Sequence, residues 1–261
     1  MVPVQLTILG SGSGGNCAYL ETDQTRLLID AGLSARQIRR RLASIGRAPE
    51  TLDGILITHE HSDHISGLAG LAGKLDLPIY CNRLTKEAIE VQLRIQINAC
   101  LFSTGDSFEI GDVGVDTIAV PHDACDPVGF LAHTAAGNIG FLTDLGHVTK
   151  LVIERVRAAN VLLLEANHDL KMLQDDPRRP WSLKQRILSR HGHLSNDGAA
   201  DAIEQILSGT LRHLYLGHLS RDCNRPELAL EVVGGRLERL GGTHVRLEST
   251  SQDVPNGTLS I

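Results

Sequence analysis

Short apolar runs rich in Val, Ile and Leu recur along the chain between turn-forming residues, at positions 4–9, 17–20, 27–29, 55–58, 113–120, 139–143, 161–164 and 214–217. Runs of this length and composition read as strands. Turns containing Gly or Asp separate the first three, which predicts an antiparallel meander rather than βαβ units. Helical periodicity covers 35–45, 65–74, 85–97, 150–157 and 197–207. Asn196 is placed to cap the last of these, and Pro226 to open a further helix running to Arg239. The stretch 175–181 (DDPRRPW) reads as loop, and no repeat or low-complexity linker divides the chain. The pattern predicts one α/β domain over 1–261, with sheets inside and helices outside them.

The turn after the first strand carries Gly10-x-Gly12-x-x-Gly15, a spacing shared with dinucleotide-binding loops. That chemistry needs a helix N-terminus directly after the glycines. Here residues 16–22 (NCAYLET) read as a second strand, so the glycines form a turn that lets backbone pass close to a neighbour. Asn16 is then expected near a pocket rim, as a substrate contact.

Of the 261 residues, 42% are apolar and 21% charged, which excludes disordered, collagen-like and coiled-coil classes. A net charge of −6 and an aromatic content of 3% argue against a passive nucleic-acid binder, although bound metal ions can supply positive charge locally. The five cysteines are scattered, with no C-x-x-C pair, so a disulfide framework is not expected and a reducing cytoplasm is. No run reaches 18 apolar residues and the N-terminus lacks a basic, then apolar leader, so neither export nor a membrane partner is expected.

Histidine is in surplus, with 12, and unevenly placed. His59-Glu60-His61-Ser62-Asp63-His64 puts three imidazoles and a carboxylate within six residues, just after an apolar strand. Alternate residues at the strand end present His59 and His61 to one side, and a turn into the next helix brings Asp63 and His64 to the same cavity. Such a cluster suits two divalent ions about 3.5–4 Å apart, each with three or more protein ligands. Asp30, His122, Asp144 and His218 each terminate another apolar run, as expected of one site assembled at a common sheet edge.

The H-x-H-x-D-H segment, with Asp30 before it and His122, Asp144 and His218 after it in that order, resembles the metallo-β-lactamase-fold hydrolases. The resemblance implies an αββα four-layer sandwich with a dinuclear centre at the sheet edge. It implies that His59, His61 and His122 hold one ion, that Asp63, His64 and His218 hold the other, and that Asp144 bridges them. Asp30 would orient a ligand histidine rather than bind metal. Imidazole and carboxylate ligands without thiolate favour Zn²⁺, with Mn²⁺ or Fe²⁺ as alternatives.

Later segments narrow the branch. Glu165-Ala-Asn-His168-Asp and Gly192-His193-Leu-Ser195-Asn are similar to the phosphodiesterases that include transfer-RNA 3′-processing enzymes. There the acidic residue supports a histidine that protonates or contacts phosphate, which implies that Glu165 orients His193. With Ser11–Cys17 and the segment 122–130, the chain most resembles the YycJ/WalJ group of small exonuclease-like hydrolases, departing from it at Asp222-Cys223-Asn224.

The expected activity is therefore dinuclear metal-dependent phosphodiester hydrolysis, acting as an exonuclease on DNA or RNA. A metal-bridging hydroxide would be the nucleophile, and His193 the general acid. Asp63, Glu165 and His168 complete the expected catalytic set. Alternative activities are hydrolysis of small or cyclic nucleotide-like diesters, or of a lactone, thioester or β-lactam. Lys171, Arg178, Arg179, Lys184, Arg186 and Arg190 lead into His193, and Arg178, Arg179 and Lys184 are expected to contact substrate. Arg36, Arg39, Arg40 and Arg41 form a second basic cluster.

Overall fold

The computed structural model describes residues 3–207 and 209–261; residues 1, 2 and 208 of the expected 1–261 unit lie outside that description. The first half contains strands β1 (Gln5–Gly10), β2 (Cys17–Glu21), β3 (Arg26–Ile29), β4 (Gly54–Leu56), β5 (Ile79–Asn82) and β6 (Ala99–Phe102), with helices α1 (Ala35–Ser44), α2 (Ser62–Ile65), α3 (Leu68–Leu75) and α4 (Arg83–Leu93). The second half contains β7 (Ser107–Ile110), β8 (Val113–Ala119), β9 (Val128–Thr134), β10 (Gly137–Leu142), β11 (Val161–Glu165), β12 (His213–Gly217), β13 (Arg246–Ser249) and β14 (Leu259–Ser260). Its helices are α5 (Lys150–Val156), α6 (Leu170–Asp175), α7 (Trp181–Ile187), α8 (Asn196–Ile206) and α9 (Pro226–Arg239).

Each half starts as an antiparallel meander and continues with parallel strands. β1 to β3 pair antiparallel and β3 to β6 parallel; β7 to β10 pair antiparallel and β10 to β13 parallel. Parallel neighbours require a crossover, which places the helices on the sheet faces. Two seven-stranded sheets result, ordered β14-β1-β2-β3-β4-β5-β6 and β13-β12-β11-β10-β9-β8-β7.

Strand alternation divides the core into three layers. Leu27 and Ile29 of β3 join Phe130, Phe141, Val161 and Leu163 between the sheets. Leu28 faces the other way, against Ile38, Leu42 and Leu68 of the first helical layer. In β11, Leu162 and Leu164 pack outward on Val152, Ala199 and Ile203. Strands covered on both faces must be apolar throughout, which is why these runs are unbroken in the sequence. The arrangement is the expected αββα sandwich.

Several expected boundaries move. The helix expected at 65–74 is split into α2 and α3, because Gly67 donates to the Ala31 carbonyl (2.7 Å) and leaves no room for a side chain. The helix expected to reach 97 ends at Leu93, where Arg94 takes a left-handed conformation (φ 54°). Ser195, not Asn196, caps α8, accepting from Gly198 N. Strands β5, β6, β7, β9, β13 and β14 and helices α6 and α7 were not expected. The half-exposed strands β7 and β13 lack the apolar runs of the central ones.

One glycine fixes how the first half meets the site. Gly32, just beyond β3, donates to Asn16 O (2.8 Å), and a Cβ there would lie 1.6 Å from the Asp63 carbonyl oxygen. Gly32→Ala should therefore cost about 1–3 kcal/mol through overpacking against backbone. Denaturant unfolding of the metal-free protein measures this; an unchanged midpoint would mean that the loop yields freely.

Candidate metal centre

Six strands deliver polar side chains to one edge of the sandwich. Asp30 follows β3, the segment His59–His64 follows β4, His122 follows β8, Asp144 follows β10, Glu165 ends β11 and His218 follows β12. Asp30, Asp144 and His218 share a left-handed backbone, with φ of 60°, 57° and 55°. Non-glycine residues adopt this conformation only where surrounding structure holds them in it, and such positions concentrate at functional sites.

The side chains meet in contiguous clusters. His59, His61 and His122 place one ligand-type atom each within 4.8 Å of one another, and so do Asp63, His64, Asp144 and His218. Each key imidazole is tied at one nitrogen, which sets its tautomer. His64 Nδ1 donates to Asp30 Oδ2 (2.7 Å), and the Thr58 amide donates to the other oxygen of that carboxylate, Oδ1 (2.9 Å). His218 Nδ1 donates to Glu165 Oε1 (2.7 Å), and His122 Nδ1 to the Gly192 carbonyl (3.0 Å). The opposite nitrogens face the cluster, where a cation would take the place of a proton: His64 Nε2 lies 2.9 Å from Asp144 Oδ2, His218 Nε2 3.2 Å from Asp63 Oδ2, and His122 Nε2 3.2 Å from His61 Nδ1. His59 Nε2 and Asp144 Oδ2 are buried with no hydrogen-bond partner. Converging lone pairs and carboxylates that lack protein partners are the donor set a divalent cation satisfies. The residues fit.

Glu165 is fully buried and satisfied on all sides. Its Oε1 accepts from His218 and from His193 Nδ1 (2.8 Å), and its Oε2 from the amides of Leu145 (2.8 Å) and Leu194 (3.3 Å). Burial alone would raise its pKa, but His193 and His218 outweigh burial and hold it down to about 2. Burial likewise opposes charge on His193, yet the Glu165 carboxylate outweighs it and raises the pKa above the ordinary value. In Asp144, burial is overcome by His218 and His64, which hold the carboxyl well below its usual range. His59 and His122 are pulled down by burial, which favours the neutral form that a metal needs.

A cavity of about 380 Å³ opens over the cluster, lined by Ser13, Asp63, Gln92, Asp144, Arg186 and His193 among others. Ser13 and Gln92 were not singled out from sequence as site residues, and only their position after folding marks them, whereas Arg186 belongs to the basic run that leads into His193. Asn16 does not line this cavity. It is buried beneath, accepting from Ser11 Oγ (2.9 Å) and Gly12 N (3.1 Å), with Nδ2 3.1 Å from His64 Nε2. The expected substrate contacts Arg178, Arg179 and Lys184 are also elsewhere. Arg178 and Arg179 pair with Asp176 and Asp222, and buried Lys184 donates to the Gln174 carbonyl (2.6 Å). In the second basic cluster, Arg41 is buried on the Leu9 carbonyl (2.6 Å) and Arg39 pairs with Glu50 (2.5 Å). His168 lies outside the reacting cavity, against the backbone of Ser195. Asn224, in the departing segment, forms a reciprocal amide pair with Asn196 (3.0 and 2.9 Å) and donates to the Ala166 carbonyl (2.8 Å).

A family model described as a beta-lactamase superfamily domain matches residues 25–218. The chain belongs to the β-lactamase superfamily. Within that superfamily it is 38% identical over 257 residues to exodeoxyribonuclease YycJ of Bacillus anthracis, covering 97% of each chain. It is 41% identical over 255 residues to exodeoxyribonuclease WalJ of Streptococcus pneumoniae, covering 95% of this chain and 94% of that one. Among solved structures, the metallo-β-lactamase-fold protein YhfI of Bacillus subtilis superposes with a TM-score of 0.74 at 15% identity, over 98% of this chain and all of that one. The short form of human tRNase Z superposes with a TM-score of 0.65 at 18% identity, over 97% and 98%. Both structural likenesses concern the fold. The chain is a metal-dependent hydrolase of this superfamily.

Burial holds the His168 pKa down to about 4, against an ordinary value of 6.5. Between those two pH values the unfolded chain binds a proton there that the folded chain does not, so stability falls on acidification, by up to roughly 3 kcal/mol from this residue. His168→Phe should flatten the acid limb by that amount in metal-free unfolding curves from pH 7 to pH 4. An unchanged slope would show that residue 168 is not buried as described.

Proposed function

We propose that this chain is a dinuclear, divalent-metal-dependent phosphodiesterase that removes nucleotides from an end of DNA. The carrying observation is the pair formed by Glu165 and His193 beside the metal cluster, 2.8 Å apart. Hydrolysis of a lactone, thioester or β-lactam has little need of a second, carboxylate-held imidazole. Expelling an alkoxide from a phosphodiester does need a proton donor. The near full-length likeness to proteins named exodeoxyribonucleases supports DNA as the polymer.

In this reading His59, His61 and His122 would hold one ion, Asp63, His64 and His218 would hold a second, and Asp144 would serve both. Nitrogen and oxygen donors without thiolate suit Zn²⁺ first, then Mn²⁺ or Fe²⁺. Bound ions would supply Lewis-acid polarisation of the phosphate and lower the pKa of water to about 7. The protein's own part is positioning and proton transfer. Asp30 and Glu165 hold His64 and His218 in orientation. Glu165 also takes the Nδ1 hydrogen bond of His193, so Nε2 is the atom that gives its proton to the leaving oxygen. Ser13 and Arg186, at the rim, offer donors to the phosphate oxygens; Arg186 pairs with Asp123 until substrate arrives. All five cysteines are free, which suits a reducing compartment, and we place the enzyme in the cytoplasm. No helix among the described residues is long and apolar enough to cross a membrane.

His193→Ala should lower turnover on end-labelled DNA by about 10²–10⁴-fold while metal content stays full. Asp144→Ala should lose metal together with activity. Metal analysis and steady-state rates on both variants, with RNA, bis(p-nitrophenyl) phosphate and a lactone run beside DNA, decide the matter. Stepwise shortening of DNA that needs His193 supports the reading. Lactone turnover indifferent to His193 overturns it, and activity on the small diester alone replaces the polymer with a small substrate. Activity on DNA should also fall steeply with added salt, since each phosphate contact releases counterions.

A further inference from the structure

Behind His193 lies a second cavity, of about 290 Å³, which the chemistry above does not use. His193 lines both cavities, so they adjoin at this residue. The second one is walled by Leu170, Leu188, His168, Ser195 and Gln205 among others. Its character differs from the first. Arg186 lines the first, whereas no lysine or arginine lines the second among the described residues. Leu170 and Leu188 are 36% and 38% exposed there, an apolar surface open to solvent beside a catalytic group.

His168 makes this more than a surface hollow. It is 1% exposed, and neither of its ring nitrogens has a hydrogen-bond partner. Two unpaired nitrogens on one buried ring are costly, and the cost is removed by a ligand that supplies partners. Burial keeps this imidazole neutral at physiological pH, so it offers one donor and one acceptor. A neutral donor–acceptor edge beside Leu170 and Leu188, with Ser195, Asp201 and Gln205 as the polar part of the wall, matches a nucleobase and its sugar. A phosphate would call for the cations that line the first cavity instead.

We propose that this cavity receives the nucleoside next to the scissile phosphate, with His168 hydrogen-bonding its polar edge and Leu170 and Leu188 covering its face. The proposal rests on the phosphodiesterase reading, since it places the phosphate over the metal cluster and the adjoining nucleoside across His193. It makes His168 a specificity residue, which separates nucleotide diesters from diesters of the same charge that lack a base.

Equilibrium titration of the metal-loaded protein with deoxynucleoside 3′- and 5′-monophosphates, against inorganic phosphate, tests this without turnover. At least one nucleotide isomer should bind about tenfold more tightly than phosphate. His168→Phe, which keeps the ring and removes both nitrogens, and Leu188→Trp, which fills the cavity from an exposed wall, should each abolish most of that preference. In parallel, the ratio of kcat/KM for a dinucleotide to that for bis(p-nitrophenyl) phosphate should fall by about tenfold in both variants. Should His168→Phe fail to fold, Leu188→Trp carries the test alone. Nucleotides that bind no better than phosphate, or a preference that survives Leu188→Trp, overturn the proposal even where DNA is cleaved. A protein that prefers nucleotides through His168 yet cleaves no diester keeps the pocket and loses the hydrolytic reading.

Discussion

The centre depends on one rule of proton placement: a histidine offers a lone pair to the site only if its other nitrogen has somewhere to leave its hydrogen. His64, His218 and His122 satisfy it with Asp30, Glu165 and the Gly192 carbonyl, at 2.7, 2.7 and 3.0 Å. Each acceptor comes from a different part of the chain, so the tautomers are set by tertiary structure. Buried carboxylates would otherwise be protonated. Asp144 and Glu165 stay ionised because imidazoles face them, and His64 is held charged-prone by Asp30, Asp144 and Asp63 against its own burial. An assembly this charged is strained without a cation and relieved by one.

The rest of the fold serves that convergence. Both halves run from meander to parallel strands, so central strands from each sheet end at the same edge. At three of those ends the chain takes a left-handed turn on a functional residue, Asp30, Asp144 or His218. Asp63 is fixed by its backbone: its carbonyl accepts from Asn16 N (2.8 Å) and sits in the space that Gly32 leaves open. The glycine-rich turn after β1 thus acts as a buttress. Asn16 locks it and at the same time reaches His64.

Much of the candidate site could be read from the sequence because its converging side chains are clustered or end apolar runs. His59 to His64 are neighbours, and Asp30, His122, Asp144 and His218 each follow residues that must be strands. The central layers were visible for the same reason: Leu27–Ile29 and Val161–Leu164 are apolar on both faces. Edge strands such as β7 and β13 were not, since a strand covered on one side carries polar residues that resemble loop. Basic residues were the poorest guide. A run of Arg and Lys does not state which way each points. Arg178 and Arg179 turn to Asp176 and Asp222, Lys184 inward to Gln174 O, and Arg41 to the Leu9 carbonyl, while Arg186 alone of that first run reaches the cavity over the metal cluster.

Glu165 links the two functions of the centre. A single oxygen, Oε1, accepts from His218 and from His193, one facing the metal cluster and the other its rim. Two donors on one buried oxygen share its charge, so a change in the demand of one is felt by the other. In the proposed mechanism His193 becomes neutral when it gives up its Nε2 proton, and its Nδ1–H would then pull less strongly on Glu165. Oε1 is then freer to strengthen its bond to His218. Proton transfer at the leaving oxygen and the electron-donating power of a metal-facing histidine are thereby coupled through one carboxylate. The two amides on Oε2 keep that carboxylate from turning to favour either partner. A histidine held by any other anchor would lack this coupling, which gives a physical reason for the anchor Glu165 to stand at the end of β11, inside the core, while His193 itself comes from the loop before α8.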